Sequence, residues 1–221
     1  MPFRRITFSS KGYANVESSG TRSGVAANYP QAVIRIGTLD PKFEFDIFAP
    51  NYTNSGAHGV SGWSDFAVGT QFNVGQSENA VWGGGALVWI PTGNRGFTAG
   101  AAQFTGDFNW VYNLGPVFGL FGTESINALS SPGPSGNAQS YFAFIPSTGV
   151  SAGLSANSAL YGEYTYYSQE GPGSGTKSLF DFGYEQGLGP HVVLDVEYGF
   201  SPADSNGLKQ HYVGAGLSFM N

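Results

Sequence analysis

The sequence predicts an all-β fold: a transmembrane, up-and-down antiparallel β-barrel of 12 strands. Three observations predict it. Apolar and polar residues alternate with period two in one segment after another. Short and long connections alternate between those segments. No stretch approaches eighteen uninterrupted apolar residues, so the chain offers no membrane-spanning helix.

Composition agrees and narrows the class. The 221 residues include 34 Gly, aromatics make up 15% and charged residues only 11%. Disordered chains carry fewer aromatics and more charge. Many Gly, Tyr and Phe suit short strands joined by tight turns. The net charge of −6 argues against nucleic-acid binding, which needs a basic footprint. The chain has no Cys, hence no disulfide framework and no thiolate metal site. Nothing in the sequence calls for a metal or a cofactor. Met1–Ser10 holds two Arg but no apolar run, so it does not read as a signal peptide. An exported protein would therefore be the mature form behind an added Met.

The strand segments follow in order: 13–20, 31–38, 42–49, 64–75, 80–90, 101–113, 117–128, 139–147, a blurred pair 151–154 and 158–167, then 177–187, 190–200 and 211–220. In the sixth, Phe104, Phe108, Trp110 and Tyr112 oppose Gln103, Thr105, Asp107 and Asn109. In the eleventh, Val192, Leu194, Val196, Tyr198 and Phe200 oppose Val193, Asp195, Glu197 and Gly199. Phe43, Phe45 and Ile47 against Glu44 and Asp46, and Phe180, Phe182 and Tyr184 against Asp181 and Glu185, repeat the pattern. Short turns are expected at 38–41, 75–79, 114–116 and 188–190. Longer loops are expected at 20–30, 50–63, 91–100, 129–138, 168–176 and 201–210. Membrane barrels alternate their connections in this way, and a soluble Greek-key sandwich has no reason to. The domain division is residues 1–10 as a tail or lumen plug, with Arg4 and Arg5 facing acids, and 11–221 as a single barrel domain.

The apolar face of a membrane barrel points outward to lipid, the reverse of a soluble barrel. Two features favour the reversed facing. Tyr52, Trp63, Trp82, Trp89, Trp110, Tyr112, Tyr166, Tyr167 and Tyr198 fall near strand ends, as interface aromatics do. The polar face is rich in carboxylates and poor in Lys, where a water-exposed sheet face mixes both signs. His211–Phe219 puts Val213, Ala215, Leu217 and Phe219 on one face, like the aromatic-ended last strand of outer-membrane proteins, although Met220 and Asn221 follow.

Lys11-Gly12 with Glu17, Ile34-Arg35-Ile36-Gly37, Phe43-Glu44-Phe45, Ala49-Pro50-Asn51-Tyr52, Ser61-Gly62-Trp63-Ser64-Asp65, Val68-Gly69, Ile90-Pro91-Thr92-Gly93, Leu194-Asp195-Val196, Gly199-Phe200 and Val213–Phe219 follow one another along the chain. This ordered set resembles a family of bacterial outer-membrane proteins described as transporters or as a meta-pathway phenol-degradation family. The resemblance implies a channel in the outer membrane of a Gram-negative bacterium, for small aromatic or other hydrophobic compounds. It implies no catalytic residues.

With the apolar residues outward, the expected pore-lining set is Glu17, Arg35, Glu44, Asp46, Asp65, Asp107, Glu124, Glu163, Asp181, Glu185, Asp195 and Glu197. Eleven of the fifteen acids then point inward against one clear Arg, and such a lumen attracts cations. Arg35 is expected to neutralise Glu17, Glu44 or Asp46. The function expected is a porin-like channel or transporter for small solutes, partnered by the lipid bilayer and a small-molecule solute and acting as a monomer. Three other readings stand beside it: a non-conducting structural or engineered barrel with a side-chain-filled lumen, a rim hydrolase built on His58, Ser61, Ser64 and Asp65, and a soluble barrel binding a hydrophobic ligand. Nothing in the spacing builds a triad from those residues, so no catalytic residue is assigned. Gly171–Ser178 lacks the Gly before Lys177 that a phosphate loop needs.

Overall fold

The computed structural model describes residues 6–19, 22–38, 40, 42–55, 60–132, 137–202, 207 and 209–220, with side chains from residue 26 onward except Ser55 and Met220. The period-two segments become the strands β1 (Ile6–Ser19), β2 (Arg22–Gly37), β3 (Phe43–Phe48), β4 (Tyr52–Ser55), β5 (Val60–Trp63), β6 (Phe66–Gln76), β7 (Ala80–Ile90), β8 (Gln103–Asn113), β9 (Phe118–Pro132), β10 (Ala138–Ser155), β11 (Ser158–Tyr167), β12 (Lys177–Gly187), β13 (Val192–Ser201) and β14 (Lys209–Met220). All lie in one antiparallel sheet. Its ladder returns on itself, because β1 pairs with β14 on one side and β2 on the other. The main ladder thus closes and has one enclosed face, and β5, paired among the described residues with β4 alone, is left at the end of the strand order.

Fourteen strands stand where twelve were expected, because two lanes are broken. β3 lies against Val33–Gly37 of β2, and β4 continues along Ala26–Tyr29 of the same strand. β5 and β6 repeat this beside them. The breaks line up. The β1–β2 register shifts between Lys11 and Tyr13, opposite the stretch that holds Pro30, and a proline cannot donate to a ladder. Next to it, Asn51 N donates to Ser64 Oγ at 2.9 Å and Ser64 N to Asn51 O at 2.9 Å, which bridges the two gaps. Residues 50–63, expected as a loop, therefore hold a short hairpin.

Other boundaries also move outward. β1 and β2 run to Ser19 and from Arg22, where a loop was expected at 20–30. β10 is continuous through 148–150, and the turn that splits 138–167 falls at 156–157. Ile6–Ser10, expected in a tail, pair within β1. Arg4 and Arg5, and any plug they would form, lie outside the described residues. At one end of the sheet the connections are 38–42, 77–79, 114–117, 156–157 and 188–191. The opposite end carries 91–102 and 168–176 among its connections.

Burial decides which face is enclosed. Ile126 is 67% exposed and Phe142 75%, whereas Asp46 is 3% and Asp195 6% exposed. Phe45, Val68, Phe72, Phe104, Phe108, Phe182 and Val213 are exposed, while Ser125, Asn127, Asp181 and Ser201 are buried. Among the described residues the buried apolar side chains are only Ala32, Val33, Ala67 and Ala143. A water-soluble domain buries its large apolar residues. This sheet encloses its polar face.

Candidate functional site

The inner face has three parts, each set by strand register. On β8, β9 and β10 it is lined by uncharged polar groups, with Asp107 as the exception. Thr105 pairs with Asn127 and Asn109 with Thr123. Thr105 Oγ1 donates to Asn127 Oδ1 at 2.7 Å, and Thr123 Oγ1 to Asn109 Oδ1 at 2.7 Å. Asn127 Nδ2 donates to Ser125 Oγ at 3.0 Å, and Ser125 Oγ to Ile145 O at 3.0 Å. These bonds satisfy groups that would otherwise be costly to bury. Asp107 shares this row, opposite Ser125 and Gly85.

Beside this wall lies a trough. Gly83 and Gly85 of β7 face inward between Gln71 and Asn73 of β6 and Asp107 and Asn109 of β8. With no side chain on its floor, the trough widens into a cavity of about 780 Å³ at the short-turn end, where Glu44, Gln71, Asn73, Asn109 and Thr123 supply polar groups and Phe121 an aromatic one. Above it the inner face turns apolar: Val33, Phe48, Ala67 and Trp89 occupy one register row. Trp89, expected at the interface, is thus on the enclosed face, its ring 6.0 Å from that of Phe48.

Arg35 stands opposite Asp46. Its Nε is 3.8 Å from Asp46 Oδ1 and 3.9 Å from Glu44 Oε1, ion pairs without a hydrogen bond. Gln71 Nε2 completes the site by donating to Asp46 Oδ2 at 2.9 Å. The cation therefore lies among carboxylates of the adjacent strand, as its position in the sequence implied, with Glu44 and Asp46 as the partners.

The third part is acidic. Glu163 of β11 faces Asp181 of β12, and Glu185 faces Asp195 of β13, with Glu197 and Gly183 paired between. Two tyrosines hold this wall. Tyr161 OH donates to Glu197 Oε2 at 3.0 Å and Asp195 Oδ1 at 3.2 Å, and Tyr212 OH donates to Asp181 Oδ1. At the rim Lys177 Nζ lies 3.2 Å from Glu170 Oε1 and 5.5 Å from the centre of the Tyr167 ring.

The expected pore-lining residues divide as follows. Register puts Arg35, Glu44, Asp46, Asp107, Glu163, Asp181, Glu185, Asp195 and Glu197 on the enclosed face. Glu124 departs from the expectation: it pairs with Phe108 and Pro146, in the outward row. The reason is a parity error, because β9 has Gly119, Thr123, Ser125 and Asn127 inward and little apolar contrast to mark its faces. Asp65 sits at the break between β5 and β6. Its oxygens accept Gly93 N at 2.9 Å and Ala99 N at 2.8 Å, so it clamps loop 91–102. Asn94 adds two bonds to Trp63, Thr92 Oγ1 accepts Phe66 N, and Ser130 Oγ donates to Ala99 O. The side chain of Glu17 lies outside those described, as does His58 of the hydrolase reading. Sequence reasoning missed Tyr161 and Tyr212 as lumen residues because aromatic side chains were assigned outward. Their signal was present: each shares the parity of its strand's inward residues.

No family model matches the chain, and no curated protein matches it. Solved structures do. The NanC porin superposes with a TM-score of 0.68 at 10% identity, covering 96% of this chain and 98% of that one. The KdgM porin in complex with disordered oligogalacturonate gives 0.61 at 8% identity, with 96% and 98% covered. The translocator domain of the autotransporter NalP from Neisseria meningitidis gives 0.54 at 8%, with 98% and 88% covered. At such identities the likeness speaks of fold alone, and the fold is that of a porin-type β-barrel.

Proposed function

We propose that this chain is a passive outer-membrane channel of a Gram-negative bacterium for small solutes, with a lumen that prefers cations. One observation carries the reading: the enclosed face is polar and acidic while the large apolar side chains are exposed on the outside. Lipid requires every backbone group to be paired within the protein, and a closed ladder does this. β7, β8 and β12 have 11 residues each, enough for a tilted strand to cross a bilayer. The porin-type fold supports the same conclusion. Because the ladder closes within one chain, a monomer suffices.

The acidic wall and the carboxylates around Arg35 outnumber the cations facing them among the described residues, so the field inside attracts cations and repels anions. The glycine-floored trough beside them, with Gln71, Asn73, Asn109, Asp107 and Glu44 as acceptors, takes small solutes that donate hydrogen bonds. Small aromatic compounds are the narrower form of the proposal. The ordered motifs from Ile34-Arg35-Ile36-Gly37 to Val213–Phe219 support it, as does the row of Phe48 and Trp89 on the enclosed face.

The test is conductance of the purified chain in planar bilayers under a salt gradient. Stepwise currents with a cation-signed reversal potential are expected. Silence across voltage would leave a sealed barrel, and an anion sign would overturn the acidic-lumen argument.

A further inference from the structure

We infer that Tyr161 and Tyr212 are the positioning residues of the lumen's acidic wall, each reaching across a glycine of the intervening strand to hold carboxylates two strands away. The inference rests on the cation-preferring reading above and names what sets that preference.

The geometry is reciprocal. Tyr161 of β11 pairs with Gly183 of β12, and Gly183 pairs with Glu197 of β13. The Tyr161 ring lies over Gly183, where an added Cβ would come within 2.1 Å of it. Its hydroxyl thereby reaches Glu197 and Asp195. From the other side, Tyr212 of β14 pairs with Gly199 of β13, and Gly199 with Asp181 of β12. A Cβ at Gly199 would fall 2.1 Å from the Tyr212 ring, and the Tyr212 hydroxyl donates to Asp181. Each strand of the β12–β13 pair contributes one glycine that is crossed; β12 contributes one held carboxylate, Asp181, and β13 two, Glu197 and Asp195. The two devices are therefore related by the local two-fold of an antiparallel pair.

The chemistry of the donor matters. A hydroxyl fixes a carboxylate's position without adding a positive charge to the lumen. Lys or Arg in the same place would cancel the field it orders. The aromatic ring also replaces the packing that glycine lacks, which keeps a glycine-bearing pair regular. Phe121 supports Tyr161 from β9, edge to face at 6.5 Å between centroids.

Tyr161→Phe and Tyr212→Phe keep each ring over its glycine and remove only the hydroxyl. Heat-modifiable gel migration would establish that the variants fold. The readout is reversal potential in a KCl gradient, compared with wild type and with Tyr164→Phe, whose hydroxyl lies on the outer face 3.0 Å from Ser178 Oγ. The cation-to-anion permeability ratio should fall at least about two-fold in the double variant and stay constant in Tyr164→Phe. Gly183→Ala, which keeps the Tyr161 hydroxyl but displaces its ring, should lower the ratio as well. A cation-selective wild type whose ratio is unchanged in the double variant would overturn the inference while sparing the channel reading, even if the variant is less stable. A wild type that conducts without cation preference would overturn the acidic-lumen reading itself, and this inference with it.

Discussion

Replacing Ile126 with Arg separates a membrane barrel from a soluble one more sharply than any change in the lumen. Ile126 is in mid-strand on β9, faces outward beside Gly106 and Phe144, and is 67% exposed. In water, a charged side chain at so exposed a site changes stability by no more than about 0.5 kcal/mol. In lipid, a guanidinium near the bilayer midplane costs about 2–4 kcal/mol. At about 1.4 kcal/mol per factor of ten, that is a loss of roughly 30- to 1,000-fold in the folding equilibrium. The assay is urea unfolding in phosphatidylcholine vesicles, followed by tryptophan fluorescence and by heat-modifiable migration. The preceding residue, Ser125, is buried on the enclosed face and provides a control of opposite facing. An Ile126→Arg variant whose vesicle stability stays within about 0.5 kcal/mol of wild type would refute the outward-to-lipid assignment.

Three further outcomes are expected. Glu124→Leu should leave the reversal potential unchanged and keep or raise stability in vesicles, by up to about 1 kcal/mol, because Glu124 belongs to the outward row; a shifted potential would place it in the lumen. Asp65→Ala removes the acceptor of two backbone N–H groups, at a cost of about 1–3 kcal/mol, and should make loop 91–102 cleavable by trypsin after exposed Arg95 in a barrel that still migrates as folded; continued resistance would show that Asn94, Thr92 and Ser130 hold the loop without it. Arg35→Met leaves buried Asp46 without its cation, and because the Arg35 side chain is itself 38% exposed the cost should be that of one unsatisfied buried acceptor, about 1–3 kcal/mol, largely recovered in Arg35→Met with Asp46→Asn; equal stability of Arg35→Met and wild type would mean the 3.8 Å pair contributes nothing.

The fold was legible because its two signals are independent. Phe104 to Tyr112 alternates except at Gly106 and Val111, Val192 to Phe200 except at Val193, and β8 and β13 emerge close to their expected bounds. The broken lanes were not legible. Residues 50–63 carry Pro, Asn and Gly, which read as a loop, and pairing with the long β2 on one side and β5 on the other makes Tyr52–Ser55 a strand. The end of β10 was obscured for a related reason: Ser147 to Gly153 is made of small residues whose faces hardly differ, so no local contrast marks the turn at 156–157. Parity on β9 failed the same way and misassigned Glu124. The acids on β3, β12 and β13 were read correctly onto one face because Phe and Val alternate with them. What holds those acids was hidden, since a hydroxyl reaching over a glycine two strands away depends on register that no local pattern encodes.

Single-channel recording under a KCl gradient tests the central claim most directly. The account predicts discrete conductance steps from the purified chain in a planar bilayer, with a reversal potential of cation sign that moves toward zero in the Asp195→Asn, Glu197→Gln double variant. A chain that folds in the bilayer and passes no current at any voltage, or one whose reversal potential has the anion sign, would contradict it.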